Sequence, residues 1–151
     1  MRRCTAILLT LIGLAAAALA SPAWADDATI GFVKTLSGHA TVTRAGATKP
    51  VEIAMPVYAQ DRLETGSDGE LGITFRDDTR ISLGPGSRLD LPNFVFKPAG
   101  NHYGFVLRLA YGTMQYLSGL TAKLAPDAMS IETPTATIAV RGTHFLVRAE
   151  K

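Results

Sequence analysis

The stretch that most restricts the fold is residues 62–91, RLETGSDGELGITFRDDTRISLGPGSRLDL. Taken alternately, Leu71, Ile73 and Phe75 fall on one side, and Glu70, Gly72, Thr74 and Arg76 on the other. The alternation resumes at Ile81 and Leu83 after Asp77-Asp78, and at Leu89 and Leu91 after Gly84-Pro85-Gly86-Ser87. Period-two alternation interrupted by Gly, Pro, Asp and Ser clusters marks short, half-buried strands. A helix needs apolar residues recurring three and four apart, a rhythm this stretch does not supply. The reading is strand, turn, strand, turn, strand.

Parity narrows the connections. A two-residue hairpin on Asp77-Asp78 would set Phe75 opposite Arg80, yet directly paired residues share a face. Setting Phe75 and Ile81 on the same face requires an odd number of loop residues, and the same holds for Leu83 and Leu89. Each connection is therefore either a three-residue bulged turn or a corner between strands that stack without pairing. Parity alone leaves both open, and both are all-β.

A chain of 151 residues is one domain by length. Its first 25 residues stand apart. Arg2 and Arg3 give a positive start, residues 6–20 are almost wholly apolar, and Ala23-Trp24-Ala25 is a small-residue cleavage pattern. This is the layout of a secretory signal peptide, 1–25, with the mature domain at 26–151. The apolar run falls short of the roughly 20 residues a membrane span needs, so no transmembrane segment is expected after cleavage. The expected location is periplasmic or secreted.

Export sets the chemistry available. The single cysteine, Cys4, lies inside the expected signal. The mature chain then has no disulfide, thiolate catalysis or cysteine metal site. Its stability must come from its own core, and about 125 residues suffice for that. Removing Arg2 and Arg3 leaves thirteen basic against thirteen acidic residues, without a Lys/Arg cluster. Nucleic acid is not an expected partner.

The remaining chain reads as further strands. Residues 30–34 and 40–44 flank a Ser37-Gly38 turn, with Ala40 and Val42 inward. Residues 46–50 read as a polar turn, and 51–53 and 57–58 as short extended pieces around Pro56. Phe94 and Phe96 precede a Pro-Gly-Asn loop, and their rings read as core packing rather than a glycan platform. Phe105, Leu107 and Leu109 share a face. Tyr111-Gly112 reads as a turn into 113–117, and 118–126 as an exposed loop. Met129 and Ile131 open a last block, punctuated by Thr133-Pro134, rich in β-branched residues over 135–140 and interrupted at Arg141-Gly142.

Catalytic patterns are wanting. His39, His102 and His144 are far apart and show no metal-ligand spacing. Asp77-Asp78 is a carboxylate pair only in sequence, because adjacent turn residues diverge. Glu64, Asp68 and Glu70 around Thr65-Gly66-Ser67 fit no established calcium loop. There is no G-x-S-x-G elbow, and no helix to present a phosphate-binding loop. The expectation is a non-enzyme with no cofactor and no metal.

Two blocks resemble the FecR family of exported proteins. One runs from Asp61-Arg62-Leu63-Glu64-Thr65-Gly66 through Phe75-Arg76-Asp77-Asp78 to Ser87-Arg88-Leu89; the other is Glu132-Thr133-Pro134 through Arg141-Gly142-Thr143-His144-Phe145. Leu109-Ala110-Tyr111-Gly112-Thr113-Met114 is similar to the family's Gly-centred strand pair, and residues 33–42 to its first strands. Gln60 and Asp78 stand where the family usually has Gly. The resemblance implies a small all-β extracytoplasmic domain, β-solenoid-like or a sandwich. It also implies structural or partner-contact roles for Asp61, Thr65, Gly66, Asp77, Thr133, Pro134, Arg141, Gly142 and Thr143.

In its best-known members the domain relays receptor occupancy to a sigma factor across the membrane. Here a signal peptide stands in place of the retained span, so the resemblance does not by itself support transmembrane sigma regulation. The expected function is a binding or scaffolding module with another envelope protein as partner, with a part in envelope signalling left open. The alternative is a module for cell-wall or surface polysaccharide using Phe94, Tyr103 and Tyr111; a calcium-dependent hydrolase ranks last. Oligomeric state is not legible at this level.

Overall fold

A computed structural model describes residues 28–140 and 144–151. The expected signal peptide at 1–25 and the Arg141-Gly142-Thr143 block lie outside the described residues. The described chain forms β1 (Gly31–Ser37), β2 (Ala40–Arg44), β3 (Ala47–Pro50), β4 (Pro56–Val57), β5 (Arg62–Thr65) and β6 (Glu70–Phe75). It continues through β7 (Arg80–Leu83), β8 (Arg88–Lys97), β9 (His102–Leu117), α1 (Leu120–Leu124), β10 (Met129–Glu132), β11 (Thr137–Ala139) and β12 (His144–Ala149). The all-β expectation is met, and the inward set Leu71, Ile73, Phe75, Ile81 and Leu83 is 1–2% exposed.

The strands make one 12-stranded sheet that curls into two wings sharing β9. Wing A runs β4-β1-β6-β7-β9-β12, and wing B runs β3-β2-β5-β8-β9-β10-β11. Neighbours are antiparallel except β9 and β10, which the crossover through α1 makes parallel. The apolar faces of both wings meet in one core. Phe75 of wing A packs edge-on against Phe105 of wing B at 4.7 Å, and Phe94 closes the group at 4.7 Å from Phe105.

Both connections allowed by parity occur, once each. Ile73 pairs with Ile81 and Leu71 with Leu83, so Arg76-Asp77-Asp78 is a three-residue loop closed by Phe75 N–H to Thr79 O at 2.8 Å. Asp78 takes φ 64°, the left-handed residue that such a bulged turn requires. By contrast, β7 and β8 do not pair with each other. Gly84-Pro85-Gly86-Ser87 is a corner that carries the chain from wing A to wing B. Ser37-Gly38 is a second corner, because β1 belongs to wing A and β2 to wing B.

Four sequence expectations need correction. Within 46–50 only Gly46 turns, together with Ala45, at φ 82° and 47°, while Ala47–Pro50 is strand β3. All four β3 residues are exposed, so no apolar alternation betrays the strand. Residues 51–53 are not a strand; they lead into a bend at Ala54, φ 65°. Tyr111-Gly112 does not reverse the chain, since β9 is continuous across it. Its inward residues change parity there, from Phe105, Leu107 and Leu109 to Met114 and Tyr116, because Gly112 at φ 96° kinks the strand between wings. Residues 118–126, read as a loop, hold the one-turn α1.

Candidate functional site

The signature residues that the structure describes gather at the turns and corners. Asp61 stands at the foot of β5, on the same parity as the buried Leu63 and Thr65. Opposite it, Arg44 ends β2 on the parity of Ala40 and Val42. Arg44 Nε donates to Asp61 Oδ1 at 2.7 Å and Nη2 to Oδ2 at 2.7 Å, a bidentate pair. Tyr58 N–H adds a third bond to the carboxylate at 2.9 Å, and Arg44 also donates to Pro56 O and lies 4.1 Å over the Tyr58 ring. Asp61 is 0% exposed, so its charge is satisfied wholly from within the chain. A charged residue on an inward parity is the signal that points to Arg44, which the motif reading passed over.

Thr65 and Ser87 stitch the corner between β7 and β8. Thr65 Oγ1 donates to Gly84 O at 2.7 Å and accepts from Ser87 N–H at 2.8 Å. Ser87 Oγ accepts from Thr113 N–H at 2.9 Å, beside the kink at Gly112. A Cβ on Gly112 would lie 2.2 Å from that oxygen, so only Gly lets the two strands approach. Gly66 N–H donates to His39 O at 2.8 Å, and Gly86 N–H to Gly66 O at 2.8 Å, joining the two corners.

Asp77 and Asp78 diverge: Asp77 is buried and Asp78 exposed. The Asp77 carboxylate accepts from Thr79 N–H, Thr79 Oγ1 at 2.8 Å and Thr121 N–H, while its carbonyl accepts from Leu120 N–H at 2.6 Å. The turn thereby seats α1. Burial pushes the neighbouring Tyr116 phenol up to about 12, with the Thr79 hydroxyl opposing. Thr133 and Pro134 belong to the tight β10–β11 turn, where Thr133 Oγ1 accepts from Ala136 N–H at 3.0 Å. Gln60, like Asp78, has a positive φ, 68°, which accounts for the family's Gly at both places.

The outer faces of the wings differ in kind. On wing B the cross-strand neighbours Arg62, Asp90, Arg108 and Glu132 alternate in sign. Arg62 Nε donates to Asp90 at 2.7 Å, a bond that holds the guanidinium above its ordinary value, and Arg108 pairs with Glu132 at 2.7 Å. Glu64 accepts one bond from the Tyr111 hydroxyl and is 3.7 Å from Arg88. On wing A the neighbours Phe32, Thr74, Arg80, Leu117 and His144 form one row, and Thr35, Gly72, Ser82, Gln115 and Leu146 the next. This second row lines a shallow depression of about 250 Å³. Phe32, Leu117 and Leu146 are 44%, 40% and 69% exposed, and the Arg80 side chain has no ion pair or hydrogen bond among the described residues.

The remaining candidates are dispersed. His39 lies 2.8 Å from Asp68 and holds that carboxyl below its usual range, while His144 accepts from Gln115 Nε2 at 2.6 Å. Glu64 and Asp68 have separate partners, and among the described residues no group of three His, Cys, Asp or Glu is placed to hold a metal. Among them, too, no helix is long and apolar enough to cross a membrane. Phe94 stacks in the core, Tyr103 faces Phe96 at 6.0 Å, and Tyr111 sits under Lys151 and against Glu64.

Fold and network together define a small curled-sheet domain whose polar signature lies mainly at its turns. The family model described as FecR protein matches residues 61–151, well over half of the chain. The chain belongs to the FecR family. The match takes in both signature blocks and the kink at Gly112, and leaves residues 33–42 outside. The family is one of non-enzymatic regulators in envelope signalling, whose members are typically envelope-associated and act with other proteins. No curated protein and no solved structure matches the chain.

Proposed function

We propose that this chain is an exported, extracytoplasmic binding module that holds a protein partner on the outer face of wing A. The observation that carries the reading is the contrast between the two outer faces. Wing B neutralises its own charges in a ladder of cross-strand pairs, a surface suited to water. Wing A sets Arg80, a cation without an ion pair among the described residues, next to exposed Leu117 and in one row with exposed Phe32. Aromatic and Arg side chains are the residue types that anchor protein interfaces.

In this reading the family's signature polar residues keep the corners closed, and the partner touches their frame from outside. The rings considered for a polysaccharide do not share one open surface, which favours protein over glycan. Cleavage after Ala25 gives a mature chain starting at Asp26, and mass spectrometry of the exported protein checks it.

The test of the binding role is capture from envelope extracts. Tagged protein should retain a reproducible protein partner, and Arg80→Glu with Leu117→Lys should lose it without loss of folding. Retention of polysaccharide instead, on a glycan array, would overturn the protein reading.

A further inference from the structure

The edges of a sheet are where one chain most readily meets another, because an unpaired strand presents a row of free N–H and C=O groups. Among the described residues, β3, β4, β11 and β12 each have a side without a partner strand. Three of them carry features that discourage pairing. β3 has Lys49 and Pro50, β4 is two residues long and begins with Pro56, and β11 is three residues long just beyond Pro134. β12 has none of these. It runs six residues without Pro, Gly or Lys, and exposes Leu146 at 69%.

We propose that β12 pairs antiparallel with β12 of a second copy of this chain, with Val147 opposite Val147. The segment itself selects the occupant, because β12 and the adjoining Glu150 contain both members of every pair this register makes. On the outer face His144 meets Glu150, and Leu146 meets Arg148, whose methylene stem covers the exposed leucine. On the inner face Phe145, already stacked on Tyr116 at 4.9 Å, meets the small Ala149, and Val147 meets itself. Large meets small inside, and outside an imidazole meets a carboxylate and an aliphatic stem covers a leucine.

Neighbouring registers do worse. Centring on Leu146 sets Arg148 against His144. Centring on Arg148 sets two guanidinium groups directly opposite, which destabilises a strand pair. Paired residues in the Val147 register have equal parity, so main-chain groups turned away from β9 in one copy meet those turned away from β9 in the other. Wing A then continues across the two-fold axis as one sheet. This pairing uses the main-chain edge of β12 and shares only His144 and Leu146 with the outer-face rows of wing A.

The full chain, expressed and purified as the exported protein, tests the inference by sedimentation across micromolar to millimolar concentrations. The expected result is a reversible dimer. Glu150→Lys should weaken it by about tenfold, since the change acts twice per dimer, and adding His144→Glu should restore it. The positions are exposed, so folding should be unaffected, as a circular-dichroism melt will report. Oxidative cross-linking fixes the register: His144→Cys with Glu150→Cys should join copies, because opposed strand residues lie within disulfide reach. Leu146→Cys with Glu150→Cys should not. A monomer at every concentration, a dimer indifferent to Glu150→Lys, or linkage through the second cysteine pair would each overturn the proposal.

Discussion

Asp61 and Arg62 are neighbours in the chain and live in opposite environments. Asp61 points inward, is 0% exposed, and is gripped by Arg44 from the next strand. Arg62 points outward, its side chain 44% exposed, and meets Asp90 on the other neighbouring strand. Both are Arg–carboxylate pairs at 2.7 Å, so distance does not separate them. Burial does. Removing the partner of a buried carboxylate leaves a charge that water cannot reach, whereas an exposed pair broken apart is solvated at once. Strand parity thus sorts this protein's polar residues into those that hold corners and those that dress a surface.

That contrast is open to direct attack. Arg44→Ala should be the most damaging change, costing about 3 kcal/mol because the buried Asp61 carboxyl loses its partner. Urea denaturation measures it. Thr65→Val should follow at about 2 kcal/mol, since Gly84 O and Ser87 N–H both lose their hydroxyl partner at a corner. In the opposite direction, Gln60→Gly should stabilise by about 1 kcal/mol, relieving a side chain held at φ 68°. Arg108→Ala on the outer ladder should change stability least, by under about 1 kcal/mol. An Arg108→Ala effect matching that of Arg44→Ala would erase the distinction.

A pH experiment sharpens the same point. The Tyr116 phenol is raised to about 12 by burial, above the value of about 10 it has when unfolded. Its contribution is therefore complete below pH about 10 and is lost as pH rises toward about 12, where the unfolded phenol ionises first. Thermal melts across that window should fall for the native protein and fall less for Tyr116→Phe.

Much of this architecture was legible in the alternation of residues 62–91. Leu71, Ile73, Phe75, Ile81 and Leu83 all face inward, and parity had reduced each connection to an odd-length turn or a corner. The structure uses one of each because Asp78 accepts a left-handed backbone and Gly84-Pro85-Gly86 does not close a hairpin. Strand β3 was not legible, since a strand exposed at every residue has no apolar rhythm. The continuity of β9 was hidden because a kink at Gly112 and a turn there break the alternation identically. Arg44 was legible in principle, as a charge on the parity of Ala40 and Val42, but its partner lies seventeen residues away on another strand. The parallel placement of β10 beside β9 depends on contacts that no local pattern records.

The central claim is that the corners are internal scaffolding and that recognition belongs to the outer face of wing A. Quantitative capture of the envelope partner by three folded proteins tests it most directly: the native chain, Arg80→Glu with Leu117→Lys on wing A, and Arg62→Ala with Arg108→Ala on wing B. The account predicts that the wing A variant loses the partner and the wing B variant keeps it at native levels. Loss of capture by the wing B variant, with the wing A variant unchanged, would contradict it.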